Sequence, residues 1–88
     1  MKARLSEKAK EELKQIDKTL QTYFIKHMEK LERMPPRRHM KHGLPQVEDV
    51  TESARMPYEV DESAETIWIL HCFATHKEYE KWFRSYKI

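Results

Sequence analysis

The residues Thr75-His76-Lys77-Glu78 fit the capping-box pattern, in which a Thr hydroxyl and a Glu three residues later satisfy orphan amides at a helix start. His76 and Lys77 therefore stand in the first turn of a predicted helix. Imidazole ionises near neutral pH, so it can take and give a proton there. A lysine in a first turn opposes the helix dipole, and accepting that small cost marks Lys77 as a candidate for stabilising phosphate. The same four residues also suit a helix start with no chemical role. Arg37, Arg38, His39, Lys41 and His42 form the densest basic cluster. Solvated loops have this composition too, but beside a site such a loop would engage RNA phosphates and make binding salt-sensitive. By composition alone Glu48 reads as a solvated strand residue. Tyr79, Trp82 and Tyr86 recur at helical spacing, a pattern that fits core better than base stacking. Metal chemistry is not expected. His71 and Cys72 are adjacent on a predicted strand and point to opposite faces, while His39 and His42 lack an obvious third ligand.

The element that delivers His76 and Lys77 is the run before them. Ile67, Trp68, Ile69, Leu70, Cys72 and Phe73 make residues 66–73 the only long apolar run in the chain. About eight residues suit a strand better than a helix, and apolar side chains on both faces predict a central strand covered, at least in part, on both sides. Upstream, Ala9, Leu13, Ile16, Leu20, Phe24, His27 or Met28, and Leu31 recur at spacings of three and four, which is a helical stripe. Ser6 is a plausible N-cap. Unbroken, the stripe would be a helix of about 25 residues, roughly 38 Å long. A break near Asp17-Lys18-Thr19, with Asp17 capping the second helix, gives a hairpin that fits a small globule better. Pro35 ends the second helix by forcing the preceding residue out of the helical region. Residues 47–50 are a weak strand. Residues 54–60 alternate as a strand, in which Pro57 removes a ladder donor and implies an edge or a bulge.

The chain of 88 residues is expected to form a single domain, 1–88. The order is a short strand, two helices, three strands and a helix. That predicts an α+β two-layer sandwich, with an N-terminal helical hairpin packed on a small, mainly antiparallel sheet and a C-terminal helix. Cys72, the lone cysteine, excludes an intramolecular disulfide and points to a reducing compartment. The start M-K-A-R-L leads straight into amphipathic sequence without a signal-peptide pattern or a membrane-length apolar run, so a cytoplasmic protein is expected. With 17 Lys and Arg against 15 Asp and Glu, net charge is only +2 and does not by itself identify a nucleic-acid binder.

The order of elements and several local patterns together resemble the RelE/ParE toxin superfamily of type II toxin–antitoxin systems. L-S-E-K-A-K-E-E-L-K-Q-I-D-K is similar to that family's opening strand-to-helix segment, and L-Q-T-Y-F-I-K-H-M-E-K-L-E to its second helix. A-R-M-P-Y-E-V-D resembles the strand motif of Arg, two residues and Tyr. I-W-I-L-H-C-F-A-T-H-K-E-Y resembles the last strand and its basic exit. The resemblance spans nearly the whole chain. Its RelE-like branch implies a ribosome-dependent mRNA endonuclease without a metal or other cofactor, and a cognate antitoxin protein as partner. It implies Arg55 at the scissile phosphate, and acid/base or phosphate groups at His76 and Lys77. Acidic members of the superfamily suggest Glu48 as a base. Phe83 lies close to a position where RelE proteins carry a catalytic Tyr, and Tyr79 is the nearest substitute. The alternatives are a ParE-like inhibitor of DNA gyrase that acts by binding, or an inactive nucleic-acid-binding relative.

Overall fold

The computed structural model describes residues 1–34 and 46–85. The elements run β1 (Lys2–Leu5), α1 (Glu7–Lys14), α2 (Lys18–Arg33), β2 (Gln46–Asp49), β3 (Arg55–Asp61), β4 (Thr66–Ile69) and α3 (His76–Arg84). The four strands form one sheet in the order β1-β4-β3-β2, with β1 parallel to β4 and the other pairs antiparallel. This is the expected α+β architecture with a mainly antiparallel sheet.

Local capping explains the helical hairpin. The Ser6 hydroxyl accepts from the Ala9 amide at 3.1 Å and starts α1. The Asp17 carboxylate accepts from the Leu20 amide at 3.1 Å and starts α2, so the long apolar stripe is two helices, as the Asp17 signal predicts. Gln21 of α2 donates its side-chain amide to the Leu13 carbonyl at 2.8 Å. The Leu13 carbonyl also accepts from the Ile16 amide at 3.2 Å, and the Gln21 bond ties the two helices together.

Both helices cover one face of the sheet. Phe24 and Leu31 from α2 and Ala9 from α1 pack with Met56, Tyr58, Val60, Ile67 and Ile69 from the strands. Alternation along each strand places these side chains together and sends the intervening ones to the opposite face. That opposite face carries Arg4, Trp68, Glu59, Val47 and Asp49 by register. Trp68 is 39% exposed, so covering the apolar run on both sides, as its composition predicted, extends only partway along it.

β4 also ends at Ile69, earlier than the apolar run, and Pro57 accounts for the change. Tyr58 pairs with Ile69, whereas Arg55 bridges to Phe73. Leu70, His71 and Cys72 therefore oppose only Met56 and Pro57, which is a bulge of one residue. It sits where Pro57 has no N–H to give, and the Pro57 carbonyl still accepts from Leu70 at 2.9 Å. Of the two readings of Pro57, the bulge holds. The edge does not, because β3 lies between β4 and β2.

Candidate active site

The bulge turns the chain from β4 towards α3 and leaves Phe73 beside Arg55, their backbones exchanging hydrogen bonds of 2.9 and 3.0 Å. Arg55 is the first residue of β3 and lies opposite Asp49 of β2. Its Nε is 3.1 Å from Asp49 Oδ1. Its Nη1 donates to the Thr51 and Ala54 carbonyls at 2.9 and 3.0 Å. The turn supplying those carbonyls is itself closed by the Thr51 hydroxyl, which accepts from the Ser53 and Ala54 amides. The guanidinium is thus held rigidly, with its side chain 15% exposed and Nη2 making no hydrogen bond among the described residues.

Helix α3 brings the second group. Thr75 caps it with a full capping box: its hydroxyl accepts from the Glu78 amide at 3.2 Å, and Glu78 Oε2 accepts from the Thr75 amide at 3.4 Å. The first turn then points by sequence position. His76 Nδ1 lies 2.8 Å from Glu80 Oε1, one turn on. A carboxylate on Nδ1 orients the ring and leaves Nε2 to exchange protons. The His76 ring is 5.9 Å from that of Tyr79, which in turn lies 6.3 Å from Phe73. Burial raises the Tyr79 phenol pKa and Asp49 raises it further, while Arg55 lowers it in part. The phenol therefore stays protonated at neutral pH and suits a proton donor better than a base. Lys77 is exposed and forms no ion pair with another described residue.

Tyr79 lies between Arg55, whose charge acts on its phenol, and the His76 ring, and Glu48 is not part of this group. Glu48 lies on the helix-covered face, only 8% exposed. His27 Nδ1 is 2.6 Å from its Oε2, and Lys30 Nζ donates to the same oxygen at 3.0 Å. Burial alone would raise the Glu48 pKa, but the hydrogen bonds and charges of His27 and Lys30 outweigh it, and the carboxyl is held below its ordinary value. A carboxylate locked in this way joins α2 to β2 and is poorly placed to take a proton from a ligand. The basic residues Arg37, Arg38, His39, Lys41 and His42 lie outside the described residues.

The sequence did not single out Asp49 or Glu80, which hold Arg55 and His76. Glu80 had a readable signal, its spacing of four from His76 on a predicted helix. Asp49 had none until the β2–β3 register was known. A further pair was also illegible: Glu12 of α1 accepts from the Cys72 amide at 2.9 Å and lies 3.0 Å from His71 Nδ1. His71 stacks on Phe73 at 4.7 Å and meets the edge of Trp82 at 5.2 Å. This links α1 to α3 through the bulge and gives His71 a structural post. Burial and the negative charge of Glu12 push the Cys72 thiol up to about 12, which keeps it protonated and inert. The aromatic stripe of α3 is half-buried, since no residue of that helix is fully buried. Tyr86 lies outside the described residues.

Among the described residues there is no group of three or more His, Cys, Asp or Glu that could hold a metal ion. No described helix is long and apolar enough to cross a membrane. Comparison of the chain with protein-family models, with curated proteins and with solved structures finds no match.

Proposed function

We propose that this protein is the toxin of a type II toxin–antitoxin system, a cytoplasmic, metal-independent endoribonuclease that cleaves mRNA on the ribosome. The observation that carries the reading is the convergence of Arg55, Tyr79 and His76 at the exit of the sheet. Cleavage of RNA without a metal needs a base for the 2′-hydroxyl, a cation for the charge on phosphorus and an acid for the departing 5′-oxygen. His76, oriented by Glu80, takes the 2′-hydroxyl proton. The 2′-oxygen attacks phosphorus, and the bond from phosphorus to the 5′-oxygen breaks. Tyr79, protonated at neutral pH, gives its proton to the departing oxygen. Arg55 meets the phosphate with Nη2, the one guanidinium nitrogen that is not already engaged among the described residues. Lys77, exposed beside His76, adds positive charge for the RNA backbone.

One observation favours a second reading. Nε and Nη1 of Arg55 are already bonded to Asp49 and to two carbonyls, and a guanidinium so engaged cannot offer its full bidentate fork to a phosphate. A ParE-like protein that inhibits DNA gyrase by binding requires no such fork. Primer extension on a translated message after induction tests both. Codon-phased breaks in the message are the expected result. Gyrase-trapped DNA breaks with intact message would replace the nuclease with the second reading.

A further inference from the structure

The sheet face left open by α1 and α2 has one large apolar side chain in its middle. Trp68 is 39% exposed, although its strand is interior. Across the register it has Arg4 of β1 on one side and Glu59 of β3 on the other. The backbone beneath the indole is thus fixed from both sides, so holding the ring for a ligand costs little conformational entropy. Arg4 and Glu59 are both exposed, and neither forms a hydrogen bond or ion pair through its side chain with another described residue. A groove of about 540 Å³ runs from Trp68 over the outer edge of β1, lined also by Arg4, Leu5, Ser6, Lys10 and Met28.

We infer that Trp68, flanked by Arg4 and Glu59, is a stacking platform for one unpaired RNA base. The inference deepens the proposed action on RNA and rests on it. An indole face attracts any base, and stacking of this kind is a main source of affinity for single strands. Arg4 supplies a cation on the β1 side, where it meets a phosphate, while Lys10 in the same groove is paired with Glu7 at 3.7 Å. Glu59 on the other side is an acceptor only, and it recognises an exocyclic amino group such as that of adenine or cytosine. Uracil has no such group, so the platform discriminates against it. Glu59 and Arg55 project from the same face of β3 four residues apart, about 13 Å at about 3.3 Å per residue. One short single strand therefore reaches from the platform to the phosphate held at Arg55. A protein side chain is the competing occupant of an exposed Trp, and the oligonucleotide series below separates the two.

The test is fluorescence anisotropy with short labelled oligo(A), oligo(C) and oligo(U), each 2′-O-methylated so that it binds without being cleaved. The wild-type protein is compared with Trp68→Ala, Trp68→Phe and Glu59→Gln, with thermal unfolding of each as the control for folding. Oligo(A) and oligo(C) should bind more tightly than oligo(U). Trp68→Ala should weaken oligo(A) binding by about tenfold or more, Trp68→Phe should restore most of it, and Glu59→Gln should erase the preference over oligo(U). Wild-type affinity in folded Trp68→Ala overturns the inference, as does Trp68→Ala losing only the capture of a protein partner. If Trp68→Ala misfolds, unchanged base preference in Glu59→Gln overturns it instead. Codon-phased cleavage with Trp68-independent binding would remove the platform and leave the nuclease. Trp68-dependent binding without any cleavage would remove the nuclease and leave the platform.

Discussion

His76 owes its chemical promise to a neighbour. On an exposed first turn a lone imidazole would sample several rotamers, and the Glu80 carboxylate 2.8 Å from Nδ1 favours one of them. Replacing His76 with Gln should slow single-turnover cleavage on programmed ribosomes by about 10²–10⁴ while leaving ribosome binding nearly unchanged. Glu80→Gln should lower the rate less, because the ring itself remains. Wild-type kinetics in His76→Gln would transfer the proton-acceptor role to another group. Arg55 makes a contrasting case. Its bonds to the Thr51 and Ala54 carbonyls and to Asp49 serve the β2–β3 turn as much as any ligand. Arg55→Ala should therefore abolish toxicity and also destabilise the fold, by about 1–3 kcal/mol for the carbonyls left behind. A folded Arg55→Ala protein with full toxicity and an unchanged unfolding midpoint would leave Arg55 neither role. The sequence could nominate Arg55 and His76 by residue type and position. The spacing of four between His76 and Glu80 was readable, but the Asp49 contact was not, because it exists only once two strands are in register.

At the scale of elements, what was legible followed local chemistry. Asp17 and Thr75 announce helix starts because a cap involves residues only three apart, and both caps form. The extent of β4 was not legible in the same way, since the bulge at residues 70–72 depends on Pro57 in another strand. Trp68 read as core because hydrophobicity says nothing about which face a neighbouring helix will cover. The same distinction between local and distant bonds governs α3. Its cap is local and no residue of it is fully buried, so it docks through the half-buried rings of Tyr79 and Trp82 against Phe73 and His71. Thr75→Ala removes one half of the capping box, a change of about 1 kcal/mol. Because α3 contributes little to the core, the loss should appear as faster amide exchange confined to residues of α3, with the global midpoint almost unmoved. Cleavage should fall alongside, since His76 and Tyr79 both ride on that helix. Uniform loss of protection across the sheet would mean instead that α3 is part of the cooperative core.

Among the described residues the two layers are held together by apolar packing and by polar ties, of which Glu48 makes the most buried. Glu48 comes from β2, His27 and Lys30 from α2, and their contacts of 2.6 and 3.0 Å cross from sheet to helix. The register explains why a carboxylate can lie there: Glu48 faces the same side as Met56, beneath α2. Burial opposes the charge, but the two cationic partners prevail and the folded pKa lies below the ordinary value of 4.5. A carboxyl with a depressed folded pKa binds a proton more readily when unfolded. Its contribution to stability is therefore complete above about 4.5 and is lost as pH falls through the lower folded value. Acid should unfold the wild-type protein partly by protonating this group. Glu48→Gln keeps the shape and removes the titration, so it should be less stable than wild type at pH 7, by about 1–3 kcal/mol, and the gap should narrow steadily below pH 4.5. Urea unfolding at a series of pH values measures both. A constant gap from neutral to acid pH would show that Glu48 stabilises by packing rather than by charge, and the acid sensitivity would then belong to other carboxylates.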